Sequence, residues 1–507
     1  MKALLGIDIG TSGTKTALFD FKGGLMASHT VPYQLYHPQN GWAEQDPADW
    51  WAAAVCSIRR VLEHSGVSAA DVACVGLTGQ MHGLTLLDAD DEVIRPAILW
   101  CDQRTGAECE EITALIGEKR LIDITANPAL TGFTASKFLW VRKHEPEAYA
   151  RARKALLPKD YIRYKLTGRA VTDVSDASGM QLLDVGKRAW SDEVLEALDI
   201  DPALLPECME SPDVSGFISK EAAALTGLKE GTPVAAGAGD NAAAAVGTGA
   251  VREGVSFTTI GSSGVVFVHT DAMKIDPHGR VHTFCCAVPG AWHMMGVTLA
   301  AGLSLQWFRD RFCNSEIVSA GEIGVSPYML MDKAAARSPI GANRLLYLPY
   351  LQGERTPHLD PDCRGAFIGL SALHERRDLI RAVMEGVSFS LRDCAEIFAG
   401  MGAPLDHTRV CGGGASSAFW RRMLADVLDL PILNTRSAEG PALGAALLAG
   451  VAAGIYPSVP DASDAVVEIV DSMEPVEENR RAYDSVYNSY RAAYPAIKEL
   501  YKRIASL

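Results

Sequence analysis

Gly6-Ile7-Asp8-Ile9-Gly10-Thr11-Ser12-Gly13-Thr14-Lys15 decides how the rest of the chain is read. Ala3 to Ile9 is an apolar run broken only by Gly6 and Asp8, and Thr16 to Asp20 is a second β-like run. Two such runs joined by small residues, with glycine at the bends, make a hairpin. Without side chains at Gly10 and Gly13, backbone N–H groups can approach an anion, and the Thr11 and Ser12 hydroxyls add donors. Asp8 is oddly placed, because an unpaired carboxylate in a buried strand is costly. It is either a solvated residue of an ordinary tight hairpin or a group that meets a cation.

The turn has an echo. Ile9-Gly10-Thr11-Ser12-Gly13 recurs as Ile260-Gly261-Ser262-Ser263-Gly264, and Asp20 recurs as Asp271, at one constant offset (9 to 260, 20 to 271). Asp8 has no counterpart, since Thr259 stands in its place. A third glycine turn, Gly412-Gly413-Gly414, follows the apolar Val410-Cys411 and leads to Ser416 and Ser417. Three glycine turns, each after a β run and each with hydroxyls, fit one nucleotide held from two related domains across a shared cleft.

A chain of 507 residues is too long for one ordinary core, so two or more domains are expected. A hydrophobic content of 48% with 21% charged residues is that of a soluble globular protein. No stretch approaches the length of a membrane span, and no signal peptide is expected, because Asp8 interrupts the first apolar run. A net charge of −15 without basic patches excludes a nucleic-acid partner. The eleven cysteines show no Cys-x-x-Cys pair and no metal-ligand spacing, and the cytosol fits best.

Strands and helices alternate along the chain. Asp46-Pro47 opens a helix with Trp50, Ala54, Ile58 and Leu62 on one face. Val72 to Leu77 is a buried strand running into Gly79-Gln80-Met81-His82-Gly83. The polar stretch Thr172 to Ser178 interrupts the alternation, and Ala442 to Val451 is an alanine-rich helix. Asp240, after the strand at Pro233 and before four alanines, is either a base for a hydroxyl proton or helix-capping chemistry. Mg²⁺ is held by one or two carboxylates together with nucleotide phosphates, which makes Asp8 its natural partner. Lys15 either offsets phosphate charge or is simply exposed. Trp100, Asp102 and Arg104 offer the stacking face and polar tips that a polyol site uses. Met81 and His82 are either core filler or an exposed bend between glycines.

Together these residues resemble the FGGY carbohydrate kinase family, a branch of the actin-like (ribonuclease H-like) ATPase fold. The resemblance runs through the Asp8 turn, Gly79 to Gly83, Trp100 to Arg104 and Leu157 to Tyr161. It continues through Thr172 to Gly179, Gly239-Asp240-Asn241, Leu348 to Pro357 and Gly412 to Gly414. It implies an α/β fold of two domains with a duplicated core and a central ATP/sugar cleft. The domains are expected at 1–245 (sugar and first phosphate turn) and 246–485 (nucleotide), with a helical tail over 486–507. It implies ATP and Mg²⁺, and D-xylulose as the phosphoryl acceptor, because Gln80-Met81-His82 matches the ketose-phosphorylating branch. By resemblance Asp240 is the catalytic base and, with Asp8, the metal carboxylate. Met81, His82, Asp240 and Asn241 contact the sugar. Gly10, Thr11, Ser12, Lys15, Gly261, Ser262, Ser263, Gly302, Gly413, Gly414 and Ser417 surround the nucleotide. Cys101 stands where asparagine is common, which removes one sugar contact, and a homodimer is compatible with the pattern.

Overall fold

The computed structural model describes residues 2–437 and 439–506. The opening run forms β1 (Ala3–Ile9), and after the turn β2 (Gly13–Asp20) and β3 (Leu25–Pro32) complete an antiparallel meander. Helix α1 (Pro47–Ser65) starts at the Asp46 cap, whose side chain accepts from the Ala48 N–H. It leads to β4 (Val72–Gly79), parallel to β1. Then come α2 (Thr134–His144), α3 (Pro158–Thr167), β5 (Val214–Phe217), β6 (Pro233–Ala235), β7 (Ala238–Gly239) and α4 (Asp240–Thr248). The sheet order is β5-β6-β4-β1-β2-β3, with β7 also paired to β4.

The second half repeats this plan. Its strands are β8 (Val255–Ile260), β9 (Gly264–Thr270), β10 (His282–Cys285) and β11 (Trp292–Thr298). Helices α5 (Gly302–Phe312), α6 (Pro327–Ala335) and α7 (Arg376–Gly400) precede β12 (His407–Cys411), α8 (Ala418–Leu428), β13 (Ile432–Thr435) and α9 (Gly440–Ala452). Strand β14 (Ile469–Met473) and the long α10 (Glu477–Ala505) finish it. The sheet runs β10-β11-β9-β8-β12-β13-β14. β8, β9 and β11 form an antiparallel meander, β12 joins β8 in parallel, and β13 joins β12 in parallel. β1, β2, β3, β4 and β6 hold the same relations in the first half. The duplication expected from the two turns is therefore one of whole sheets.

Strand β1 is buried on both faces, which explains its near-continuous apolar run. Ala3, Leu5, Ile7 and Ile9 share a core with Trp50, Ala54 and Ile58 of α1. Leu4, on the other face, packs with Ala442, Leu443 and Ala446 of α9. Helix α9 thus belongs to the second half in sequence and covers the first half's sheet in space. It approaches so closely that a Cβ on Gly6 would collide with the Ala442 carbonyl, and one on Gly76 with that of Ala445. Helices α4 and α9 pack on each other through the same device, Gly247 against the Gly440 carbonyl and Gly444 against that of Ala243.

The expected boundary after residue 245 falls inside α4, and the expected tail from 486 begins inside α10. Tyr483, Tyr487, Tyr490, Tyr494 and Tyr501 bind α10 into the second core. The polar stretch Thr172 to Ser178 is buried along all seven residues. No helix among the described residues is long and apolar enough to cross a membrane.

Candidate active site

Two carboxylates stand at the carboxyl ends of β1 and β7, the strands on either side of the end of β4. Asp8 pairs across β1/β4 with Thr78, and Ala238 of β7 pairs with the same Thr78 from the other side. Asp240 follows β7 as the first residue of α4, with Gly239 as the cap, so its charge faces the positive end of the helix. Asn241 donates to Asp240 Oδ1 from its backbone N–H at 2.7 Å and from Nδ2 at 2.9 Å. Burial outweighs these bonds and pushes the Asp240 carboxyl up to about 6. Burial, then the neighbouring Asp240, pushes Asp8 up to about 7, against the pull of Lys15 opposite it on β2. Lys15 itself is ion-paired with Glu439.

The donor set suits Mg²⁺. Asp8 accepts no hydrogen bond from the described residues, so its oxygens are free for a cation, and a divalent charge would offset the repulsion from Asp240. No group of three or more His, Cys, Asp or Glu side chains able to cage a metal occurs among the described residues. That leaves one or two carboxylates for an ion that completes its shell on phosphates and water.

Met81 and His82 lie against this pair. Met81 Sδ would be 3.0 Å from a Cβ on Gly239, so only a glycine next to Asp240 leaves it room. His82 has φ 68° and sits against Gly179, whose own Cβ would collide with the imidazole ring. Its Nδ1–H donates to the Gly179 carbonyl at 2.8 Å, which leaves Nε2 as a free acceptor. Burial, then the charges of Lys137 and Arg355, pushes its pKa down to about 3, so the ring is neutral. The buried Lys137 ammonium donates to the His82 and Gly132 carbonyls at 2.8 Å, and Thr134 Oγ1 donates to the same His82 carbonyl at 3.0 Å. Lys137 and Thr134 were missed in the sequence because nothing in it shows that α2 packs under this loop.

Behind Asp240 lies a buried charge cluster. Lys159 Nζ is 2.6 Å from Asp160, 2.8 Å from Asp173 and 3.0 Å from Asp176. Burial disfavours the Lys159 charge, but the three carboxylates outweigh it and hold its pKa above the usual lysine value. Burial pushes the Asp176 carboxyl up, against the pull of Lys159. Asp173 Oδ2 accepts from Ser175 Oγ at 2.5 Å, and Ser175 Oγ accepts from the Gly239 N–H at 3.1 Å. The network thereby fixes the backbone that carries Asp240.

The first glycine turn closes on itself, with the Gly10 N–H donating to the Gly13 carbonyl at 3.1 Å. Thr11 Oγ1 donates to Gln80 Oε1 at 3.2 Å and accepts from Trp100 Nε1 at 2.9 Å, and Ser12 stays exposed. Trp100 therefore stands beside the turn with much of its ring free. Asp102 and Arg104 do not. Arg104 donates to both Asp102 oxygens and to Glu44, and stacks 3.6 Å from the Trp42 ring centroid. Asp102 also accepts from the Ala43 N–H at 2.6 Å. Both side chains are buried with their polar atoms committed within the protein, so they brace the Trp100 loop.

The second turn sits on the start of α5, where the Gly302 N–H donates to the Gly261 carbonyl at 2.7 Å. A cleft of about 680 Å³ opens there, lined by Gly261, Ser262, Gly302, Gly413, Gly414 and Ser417. Leu305, Tyr328 and Met329 give it an apolar wall, as a nucleoside requires. Ser417 Oγ accepts from the Trp420 N–H and caps α8. Ser263 and the first turn do not line this cleft.

The model of the FGGY family of carbohydrate kinases, N-terminal domain, matches residues 3–247, and its C-terminal domain model matches residues 257–453. The chain belongs to the FGGY family of carbohydrate kinases. This FGGY kinase is 38% identical to a xylulose kinase of Bacillus subtilis over 500 residues, covering 99% of this chain and 98% of the relative. It is 39% identical over 506 residues to one of Lactococcus lactis, covering 99% and 98%. The crystal structure of a "xyloylose kinase" from Brucella ovis superposes with a TM-score of 0.89 at 37% identity, covering 98% of this chain and all of that one. The two-domain actin-like fold with a duplicated core is thereby established.

Proposed function

We propose that this FGGY kinase transfers the γ-phosphoryl group of ATP to D-xylulose, giving ADP and D-xylulose 5-phosphate. Its full-length similarity to xylulose kinases supports the substrate. The observation that carries the mechanism is the Asp240 carboxyl, with Oδ1 held by Asn241 and Oδ2 without a hydrogen-bond partner among the described residues. Residues 1–245 hold the sugar and the first phosphate turn, and the cleft at Gly261, Gly302 and Gly413 takes the nucleoside.

Asp240 Oδ2 accepts the proton of the sugar's terminal hydroxyl as that oxygen attacks phosphorus. A carboxyl with a pKa near 6 is mostly ionised at neutral pH yet basic enough to share the proton. Met81 and His82 orient the ketose, and His82 Nε2, held as an acceptor, takes a hydroxyl hydrogen. Asp8 and Asp240 would hold Mg²⁺, which when bound neutralises charge on the phosphates. The backbone N–H groups of the two glycine turns add to that neutralisation. The remainder of the catalysis is positioning with water excluded. The eleven cysteines are free thiols, as in a reducing compartment such as the cytosol.

ADP release measured with ATP and a panel of D-xylulose, D-ribulose, glycerol and gluconate tests this reading. D-xylulose is expected to give the highest kcat/KM, and a higher value with any other acceptor would replace it.

A further inference from the structure

Arg355 enters the space between the two halves on a tightly pinned segment. Glu354 Oε1 accepts from the Leu299 N–H at 3.0 Å and the Arg355 N–H at 2.8 Å, while Oε2 accepts from Thr298 Oγ1 at 2.6 Å. On the other side, the Thr356 N–H donates to the Val297 carbonyl at 3.0 Å and Thr356 Oγ1 donates to the Arg280 carbonyl at 2.8 Å. The side chain points across to the first half. A Cβ on Gly132 would lie 3.9 Å from an Arg355 Nη and 2.7 Å from the Trp100 carbonyl. The next residue, Phe133, stacks on His82 with centroids 4.6 Å apart and lies 5.6 Å from the His282 ring.

The Glu354 charge acts on this guanidinium, but no hydrogen bond from the described residues holds it. Among the described residues no carboxylate, carbonyl or hydroxyl accepts from it, and the adjacent Glu354 carboxylate is bonded elsewhere. Yet it lies deep enough that burial pulls its pKa below the usual arginine value. A half-buried cation with no hydrogen-bond partner in the protein carries a desolvation cost, and a bound ligand relieves that cost. Two neutral acceptors share its surroundings. His82 Nε2 is free, and His282 Nδ1 is committed to Asn127 Oδ1 at 2.7 Å, which leaves its buried Nε2 without a partner. Guanidinium donors unclaimed by the protein, with the Glu354 charge behind them and imidazole acceptors in the same region, suit a neutral molecule rich in hydroxyls and carbonyl oxygen.

We propose that Arg355 is a substrate-binding residue whose guanidinium donates to the carbon-1 and carbon-2 oxygens of the ketose, the end remote from the hydroxyl that Asp240 deprotonates. The assignment rests on the functional reading above. It makes recognition depend on both halves, because Met81, His82 and Asp240 come from the first and Arg355 from the second.

Steady-state ADP release with R355M, R355K and R355A tests it, with thermal melting as a folding control. R355M is expected to raise the KM for D-xylulose about 10- to 100-fold, the effect of losing hydrogen bonds from a charged group. The KM for ATP and the melting temperature stay unchanged, and added methylguanidine restores part of the sugar affinity in R355A. A sugar KM unchanged in folded R355M overturns the proposal. So does a parallel rise in both KM values with a lower melting temperature, which marks a structural role. Absence of sugar-dependent ADP release in the wild type overturns the functional reading itself, and the proposal with it.

Discussion

Asn241 donates twice to a single oxygen of Asp240, through its backbone N–H and its side-chain amide, and so aims the other oxygen away from the protein. Both bonds favour the ionised carboxylate, while burial favours the protonated one, and burial wins. The balance sets the pH at which the base becomes available. The kcat/KM for sugar should fall about tenfold per pH unit below a midpoint near 6. Asn241→Ala removes the amide donor and keeps the backbone one, so the acid limb should move to higher pH. A limb that stays in place, or moves down, would contradict this account of the pair.

Asp8 gives a prediction about stability. Its folded pKa of about 7 lies above its ordinary value of 3.8. A group raised in this way binds more protons folded than unfolded, so its contribution is fully present below about pH 4 and is lost as pH rises through 7. Asp8→Asn, which cannot ionise, should therefore melt above the wild type at pH 8 without Mg²⁺ and level with it at pH 4. The same variant should respond less to Mg²⁺ in turnover. An equal melting temperature at pH 8 would mean that Asp8 is not held against its ionisation.

The buried cluster behind Asp240 should respond unequally to neutralisation. Lys159→Met leaves Asp160, Asp173 and Asp176 around an absent cation and should destabilise by about 3–5 kcal/mol in denaturant unfolding. Burial works against the Asp176 charge, so Asp176→Asn should cost far less. Equal losses for the two variants would show that Asp176 is ionised in the folded protein.

Gly179→Ala tests the seat of His82. The new methyl would occupy the space of the imidazole ring, which must turn and lose its bond to the Gly179 carbonyl. The KM for sugar should rise with little change in the KM for ATP. An unchanged sugar KM would mean that the His82 orientation is not part of sugar binding.

Much of this architecture is legible in the chain because it is local. The Asp8 turn and its echo at Gly261 each rest on a few adjacent residues, and they led to two sheets with one strand order. Asp240 stood out because a carboxylate before an alanine run has few neighbours to explain it. What the sequence leaves unread depends on distant partners. The enclosure of Asp102 and Arg104 by Trp42, Glu44 and Ala43 is one such case. The burial of the polar stretch Thr172 to Ser178 is another, since its counter-charge, Lys159, comes from α3. The seat of α9 on β1 depends on the missing side chains of Gly6 and Gly76, more than 350 residues away in sequence. No periodicity records such a contact. The pairing of Lys15 with Glu439, beside α9, is equally distant in sequence.

The central claim is that Asp240 is the base for the sugar hydroxyl. Single-turnover transfer from ATP to D-xylulose, compared between wild type and Asp240→Asn alongside direct ATP binding, tests it most directly. The variant should transfer about 10²- to 10⁴-fold more slowly with ATP affinity retained, the scale of a positioned base. Transfer at a near-wild-type rate would contradict the account.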